Sequence, residues 1–139
     1  MVASLLLGVL AGSAEAATLT VELVELQVPK GGDAIIAVFD REDAWLDLPA
    51  ARARVVQPVS GDTLTARFEG LPAGRYAVSV IHDEDGDGEL DMRWLPFPGP
   101  VEGAGVSNDA PASFGPPSFG DAVFSLPAEG RTIRVTVRY

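Results

Sequence analysis

Apolar and polar residues alternate over several short stretches of the chain, which is the pattern of half-buried β-strands. The alternation is unbroken over Ile133–Tyr139, and it recurs over Thr18–Leu23, Thr63–Phe68 and Arg75–His82. Ala34–Phe39 is instead apolar at consecutive positions, which favours a central strand that is covered on both faces. The hydrophobic pattern therefore predicts a protein built mainly from strands.

Turn-forming residues separate these strands. Glycine and proline, with polar neighbours, occur at Lys30–Asp33, Ser60–Asp62, Gly70–Gly74 and Ala128–Gly130, and such residues serve positions with unusual backbone torsions. Ala122–Leu126 is one further short strand candidate. Strands at this spacing, joined by short turns, predict an all-β fold, a single antiparallel Greek-key β-sandwich of about seven strands.

One helical turn is expected in the segment Arg41–Ala53. Asp40 or Asp43 could cap its N-terminus, and Pro49 interrupts it because proline lacks the backbone donor that a helix interior needs.

A long loop is expected over Met92–Gly120, where six prolines exclude a long helix and disfavour a central strand. The same segment carries the aromatic residues Trp94, Phe97, Phe114 and Phe119. Aromatic residues at this density argue for an ordered loop that packs onto the sandwich, and they form a possible ligand surface.

The N-terminal residues have the features of a secretory signal. Met1–Gly12 is a short apolar run, and Ala14-Glu15-Ala16 is an A-x-A-like cleavage site. We therefore expect a signal peptide over residues 1–16, a β-sandwich domain over residues 17–139, and export to the periplasm or the extracellular space. The apolar run is shorter than the roughly 20 residues that a transmembrane helix needs, and no span is expected in the mature chain.

Charge and composition limit the classes of molecule that the chain is expected to bind. The 139-residue chain has a net charge of -10 and contains no cysteine. An acidic surface disfavours binding to nucleic acid or to an anionic membrane, and cations are its natural partners. The absence of cysteine excludes disulfides, thiolate zinc sites and a cysteine nucleophile.

The sharpest chemical signal is the acidic loop, which we define as Asp83–Asp91. Asp83, Asp85 and Asp87 lie two residues apart and a glycine follows, so their short side chains can converge on one hard cation such as Ca²⁺. The carbonyl of Glu89 and the side chain of Asp91 complete the predicted metal-binding set. A solvated acidic turn is the alternative interpretation, since Asp and Gly are common in turns.

The loop departs from an EF-hand in two respects. Trp94 occupies the twelfth position, where a bidentate glutamate is needed, and a strand rather than a helix leads into the loop. A further ligand must therefore come from Asp91, from a distant acid such as Asp109 or Asp121, or from water. We expect a structural Ca²⁺ bound with a Kd of about 10⁻⁴–10⁻³ M.

Enzymatic signals are few, and we predict no enzymatic activity. His82 is the only histidine, and no G-x-S-x-G motif surrounds Ser79, Ser107 or Ser118, so His82 is expected to bond to the loop or the backbone. Two other functions stay open: a small-ligand or carbohydrate-binding module that uses the aromatic loop 92–120, and an envelope hydrolase built on His82 and carboxylates. A saccharide or an envelope protein would be the partner in such cases.

Four segments together resemble a bacterial domain-of-unknown-function family, family 2141. They are Gly70–Val78, His82–Asp91, Gly105–Asn108 and Phe114–Phe119, and the resemblance extends from about Leu19 to Tyr139. It implies an exported protein and supplies no activity. The G-L-P-x-G-x-Y-x-V segment is also similar to transthyretin-like and cell-surface B-type domains, which implies a Greek-key sandwich.

Overall fold

Two β-sheets pack face to face, so the all-β sandwich predicted from the sequence is confirmed. The computed structural model describes residues 16–84, 92–93, 99–100, 103–112 and 115–139. The strands are β1 (Ala16–Val24), β2 (Asp33–Phe39), β3 (Ala53–Pro58), β4 (Leu64–Pro72), β5 (Gly74–Asp83), β6 (Met92–Arg93), β7 (Gly99–Pro100), β8 (Gly103–Val106), β9 (Phe124–Leu126) and β10 (Arg131–Thr136).

The first sheet has three strands in the order β10-β1-β4. β1 is antiparallel to β4 but parallel to β10, so one pairing differs from the all-antiparallel expectation. Because the rest of the sandwich separates β1 from β10 along the chain, no tight hairpin turn imposes an antiparallel direction on this pair.

The second sheet has the order β3-β2-β5-β8, with β9 also pairing to β5. β5 is its organising strand, because β2 pairs along one side of it while β8 and β9 share the other side. β2 is buried on both faces, as its apolar sequence predicted. Its residues Ala34, Ile36 and Val38 enter the core between the sheets, and Ala37 and Phe39 pack on the outer face.

The core between the sheets is built from the alternating positions of these strands. Leu19, Val21 and Leu23 of β1 face Val78 and Val80 of β5, and all are almost fully buried. Burying each such side chain contributes roughly 1.5–3 kcal/mol relative to leaving it exposed. This core fixes β5 in place, and with it the end of β5 that leads into the acidic loop.

The segment expected to hold a helical turn is more broken than predicted. Two 3₁₀ turns, Glu42–Ala44 and Leu48–Ala50, replace one helix. Neither predicted aspartate caps the segment: the N-cap positions are Arg41 and Asp47, and no side-chain hydrogen bond is made there. The last predicted residue, Ala53, belongs instead to β3, an edge strand that the sequence pattern did not indicate.

The range Met92–Gly120, expected to be one long loop, also contains the strands β6, β7 and β8, and β8 pairs with β5 in the five-stranded sheet. The segment that follows β8 covers the outer face of that sheet. It contains a 3₁₀ turn, Ser107–Asp109, and a four-residue helix α1, Phe119–Ala122, whose N-cap Ser118 accepts a hydrogen bond from the Asp121 amide. Among the described residues, no helix is long and apolar enough to cross a membrane.

Candidate functional site

The first predicted metal ligand lies at the end of β5, where the strand leads into the acidic loop. Asp83 ends this strand and is 3% exposed. In the antiparallel register it lies opposite Asp33, the first residue of β2. Cross-strand partners project to the same face with Cβ atoms about 4.5–5.5 Å apart. The sheet therefore brings two carboxylate-bearing residues together where the acidic loop begins, and the sequence pattern had indicated only one of them.

The other four predicted ligands, Asp85, Asp87, Glu89 and Asp91, lie outside the described residues. Within 16–84, 103–112 and 115–139, no group of three or more His, Cys, Asp or Glu side chains is arranged to hold a metal ion.

The two distant acids considered as further ligands are located elsewhere. The Asp109 carboxylate accepts hydrogen bonds from the Thr136 amide at 2.9 Å and from the Thr136 hydroxyl at 3.2 Å. Asp121 is an exposed residue of α1.

His82 precedes Asp83 and is completely buried on the core side of β5. Its Nε2 lies 2.5 Å from the carbonyl oxygen of Gly31, and its Nδ1 lies 2.6 Å from the Tyr139 hydroxyl. A carbonyl oxygen can only accept, so Nε2 carries the proton and donates. In the neutral ring Nδ1 then accepts from the Tyr139 hydroxyl. This hydroxyl itself accepts from the backbone N–H of Gln27 at 2.9 Å. His82 is thus bonded to the backbone, as the sequence predicted.

Tyr139 is held from several sides at the same place. Its ring meets that of His82 edge to face at 5.6 Å, and the Lys30 ammonium lies 5.7 Å from its centroid. Gly103 of β8 lies so close that a Cβ there would overlap the tyrosine ring. Burial raises the pKa of the Tyr139 hydroxyl, the hydrogen bond from the Gln27 amide opposes this, and the charge of Glu84 adds to it.

The turn between β1 and β2 closes over the end of β5. Gly32 has φ +74°, and a Cβ at this position would collide with the Asp83 carbonyl oxygen. Lys30 in the same turn lies 3.8 Å from a Glu84 carboxylate oxygen. A glycine is therefore required here both by the backbone torsion and by the close approach of the Asp83 peptide.

A hydrogen-bonding hub, which we define as Ser107-Asn108-Asp109, ties three elements together. The buried Ser107 hydroxyl accepts from the Val78 amide of β5 at 2.9 Å and donates to the Ala122 carbonyl of α1 at 2.6 Å. The Asn108 side-chain amide donates to the carbonyls of Asp121 and Val123, and Asp109 binds β10 as described above. Asn108 adopts φ 62°, a left-handed conformation that asparagine tolerates better than most residues.

This hub bears on the hydrolase alternative. Both ring nitrogens of His82 and the hydroxyl of Ser107 have structural partners. Ser107 contacts β5 at Val78, four residues before His82, and four residues of extended strand span about 13 Å. The histidine and this serine are therefore not brought together as a nucleophile and its base.

The aromatic residues divide into two groups. Trp94, Phe97 and Phe114 lie outside the described residues. Phe119 is half-buried and meets Trp45 edge to face at 5.8 Å. Trp45 in turn packs on Phe39 at 5.3 Å, and its indole N–H donates to the Pro117 carbonyl at 2.8 Å. In this arrangement Phe119 anchors the loop to the sheet.

Trp45 was not predicted from the sequence. It follows β2, the most apolar strand, by six residues, and its side chain packs on the outer face of that strand. After the polar residues 40–43, the chain carries the apolar residues Ala44, Trp45, Leu46 and Leu48. Ala44, Trp45 and Leu48 pack in the outer cluster, and this short apolar run was the available signal.

The G-L-P-x-G-x-Y segment forms a corner at the start of β5. Tyr76 is 3% exposed, and its hydroxyl donates to the Pro72 carbonyl at 2.5 Å. A tyrosine that bonds back to the backbone a few residues upstream is the tyrosine-corner arrangement of Greek-key sandwiches. Burial raises the pKa of Tyr76, partly opposed by the charge of Arg52.

Comparison with known proteins identifies the family. Residues 21–134 match the family model DUF2141, which is described as "Uncharacterized protein conserved in bacteria". No curated protein and no solved structure matches the chain. Because the matched region covers most of its length, the chain belongs to this bacterial family.

Proposed function

We propose that this family member is an exported, non-enzymatic β-sandwich that binds one calcium ion in its acidic loop and uses it to stabilise that loop. Asp83, Asp85, Asp87 and Asp91 would bind through their side chains, and Glu89 through its carbonyl. The chemistry supplied is electrostatic: a hard dication offsets the repulsion among closely spaced carboxylates.

The observation that carries the proposal is the pairing of Asp83 with Asp33. Like charges directly opposite each other in a sheet are destabilising, so this register carries a free-energy cost. Asp83 is nearly buried, which increases that cost. A cation at the loop would remove it, and Asp33 would then supply the carboxylate that the loop lacks within its own span.

Thermal unfolding tests this proposal. With a Kd of about 10⁻⁴–10⁻³ M, 1 mM Ca²⁺ stabilises the folded chain by about 0.4–1.4 kcal/mol relative to chelator. We expect this increase in the wild-type chain, and a smaller one with Mg²⁺, which rarely uses an all-protein cage.

Two variants give the test its control. Asp83→Asn should abolish the response to Ca²⁺. Glu69→Gln removes the same unit of charge from an exposed position of β4 in the other sheet and should leave the response unchanged. No stabilisation of the wild-type chain at about 10 mM Ca²⁺, together with no binding heat in calorimetry, refutes calcium binding.

A further inference from the structure

Four separate segments of the chain meet where β5 ends. They are the turn after β1, with Gln27 and Gly31; the last residues of β5, with His82; the start of β8, with Gly103; and residues 137–139, with Tyr139. Residues 137–139 also leave the three-stranded sheet here and join the other one, through paired hydrogen bonds between Ala104 and Arg138.

The hydrogen bonds at this junction run in one direction. The backbone N–H of Gln27 donates to the Tyr139 hydroxyl. With the imidazole neutral, this hydroxyl donates to Nδ1 of His82, and Nε2 of His82 donates to the Gly31 carbonyl. Every donor and acceptor of the imidazole and the phenol has a partner. These bonds hold both sides of the His82 ring, and they thereby fix the backbone that carries the next residue, Asp83.

We propose that His82 and Tyr139 are positioning residues for the acidic loop: their hydrogen-bond chain, which we call the His–Tyr lock, holds the end of β5 so that docking of residues 137–139 raises the affinity of the loop for a divalent cation. This inference rests on the proposed calcium binding. It adds that affinity depends on a residue far away in sequence whose side chain carries no carboxylate. Groups behind a ligand typically change metal affinity by about 10–100-fold when they are removed.

Tyr139→Phe tests the lock with little change in shape, since it removes one hydroxyl. Tyr76→Phe is the matched control, because it removes another tyrosine hydroxyl that bonds to the backbone at the opposite end of the same strand. Six residues of strand separate Tyr76 from His82, about 20 Å. Tyr139→Phe loses two hydrogen bonds, to the Gln27 backbone amide and to His82, whereas Tyr76→Phe loses one. A difference in global stability between the variants is therefore expected with or without the lock, and the lock is tested by Ca²⁺ affinity and by local amide exchange instead.

The first measurement is the Ca²⁺ dissociation constant of the three proteins by calorimetric titration. We expect Tyr139→Phe to weaken binding about tenfold or more, and Tyr76→Phe to bind like the wild type. Equal affinities in all three proteins overturn the lock and leave calcium binding intact.

The second measurement is amide hydrogen exchange without calcium, which keeps the lock testable if the wild-type chain binds no Ca²⁺ and the proposed function fails. We expect the His82 and Asp83 amides to exchange faster in Tyr139→Phe than in Tyr76→Phe when both are compared with the wild type. Equal exchange in the two variants refutes the lock.

Discussion

The Ser107 hydroxyl offers the most quantitative test of how this sandwich is assembled. Ser107→Ala deletes an oxygen that is fully buried and makes bonds in two directions, to the Val78 amide and to the Ala122 carbonyl. Val78 and Ala122 are both 0% exposed, so water has no direct access to the groups that lose their partner.

The expected cost follows from these two groups. A buried donor or acceptor left without a partner costs about 1–3 kcal/mol, so with two such groups the free energy of unfolding should fall by about 2–6 kcal/mol in Ser107→Ala. This is a large part of the 5–15 kcal/mol that stabilises a typical domain. We expect the substitution to lower the free energy of unfolding of the whole domain, because Ser107 lies where β5, the 3₁₀ turn and α1 are joined.

Urea unfolding followed by circular dichroism measures this loss. Ser125→Ala is the matched control, since its side chain is exposed on β9 and such substitutions stay within about 0.5 kcal/mol. The urea midpoint should fall in Ser107→Ala with an unchanged m-value. A change no larger than that of the control would show that the hub does not hold these elements together.

Two other predictions concern close packing and pH. Gly105→Ala should destabilise the fold by about 1–3 kcal/mol, because a Cβ there would overlap the Thr136 carbonyl, whereas Gly120→Ala, with open space around it, should not; equal urea midpoints would contradict this. The pKa values of Tyr76 and Tyr139 are raised above 10.0 by burial. The unfolded chain therefore loses these protons first, and stability should be complete below pH 10 and decrease above it. The urea midpoint should therefore decrease less at alkaline pH when either tyrosine is replaced by phenylalanine. An alkaline decrease that is unchanged by the substitution would refute a contribution from that phenol.

The strands that the sequence predicted best are those whose two faces differ clearly in polarity, or are both apolar. β1 alternates without error, and β2 is apolar after its first residue, Asp33, so both could be located from local pattern alone. β3 could not: its exposed positions include Val56 and its inner positions include Gln57, which reverses the usual polarity. An edge strand tolerates this because one of its sides faces solvent.

The contacts at the end of β5 could not be predicted from local sequence patterns. Spacing identified the acidic loop, but Asp33 is placed opposite Asp83 by strand register, and Tyr139 reaches His82 across 57 positions. The parallel pairing of β1 with β10 likewise joins strands that lie more than 100 residues apart in the sequence. Such contacts are set by topology, which no short pattern of residues encodes.

Calcium binding at the acidic loop is tested most directly by following the backbone amides of Asp83 and Glu84 by NMR during a CaCl₂ titration at constant ionic strength. We predict saturable shifts of both amides that fit one site with half-saturation at about 0.1–1 mM. The same titration with MgCl₂ should produce weaker shifts. Shifts that are absent, or that fail to saturate up to about 10 mM CaCl₂, would contradict the proposed function.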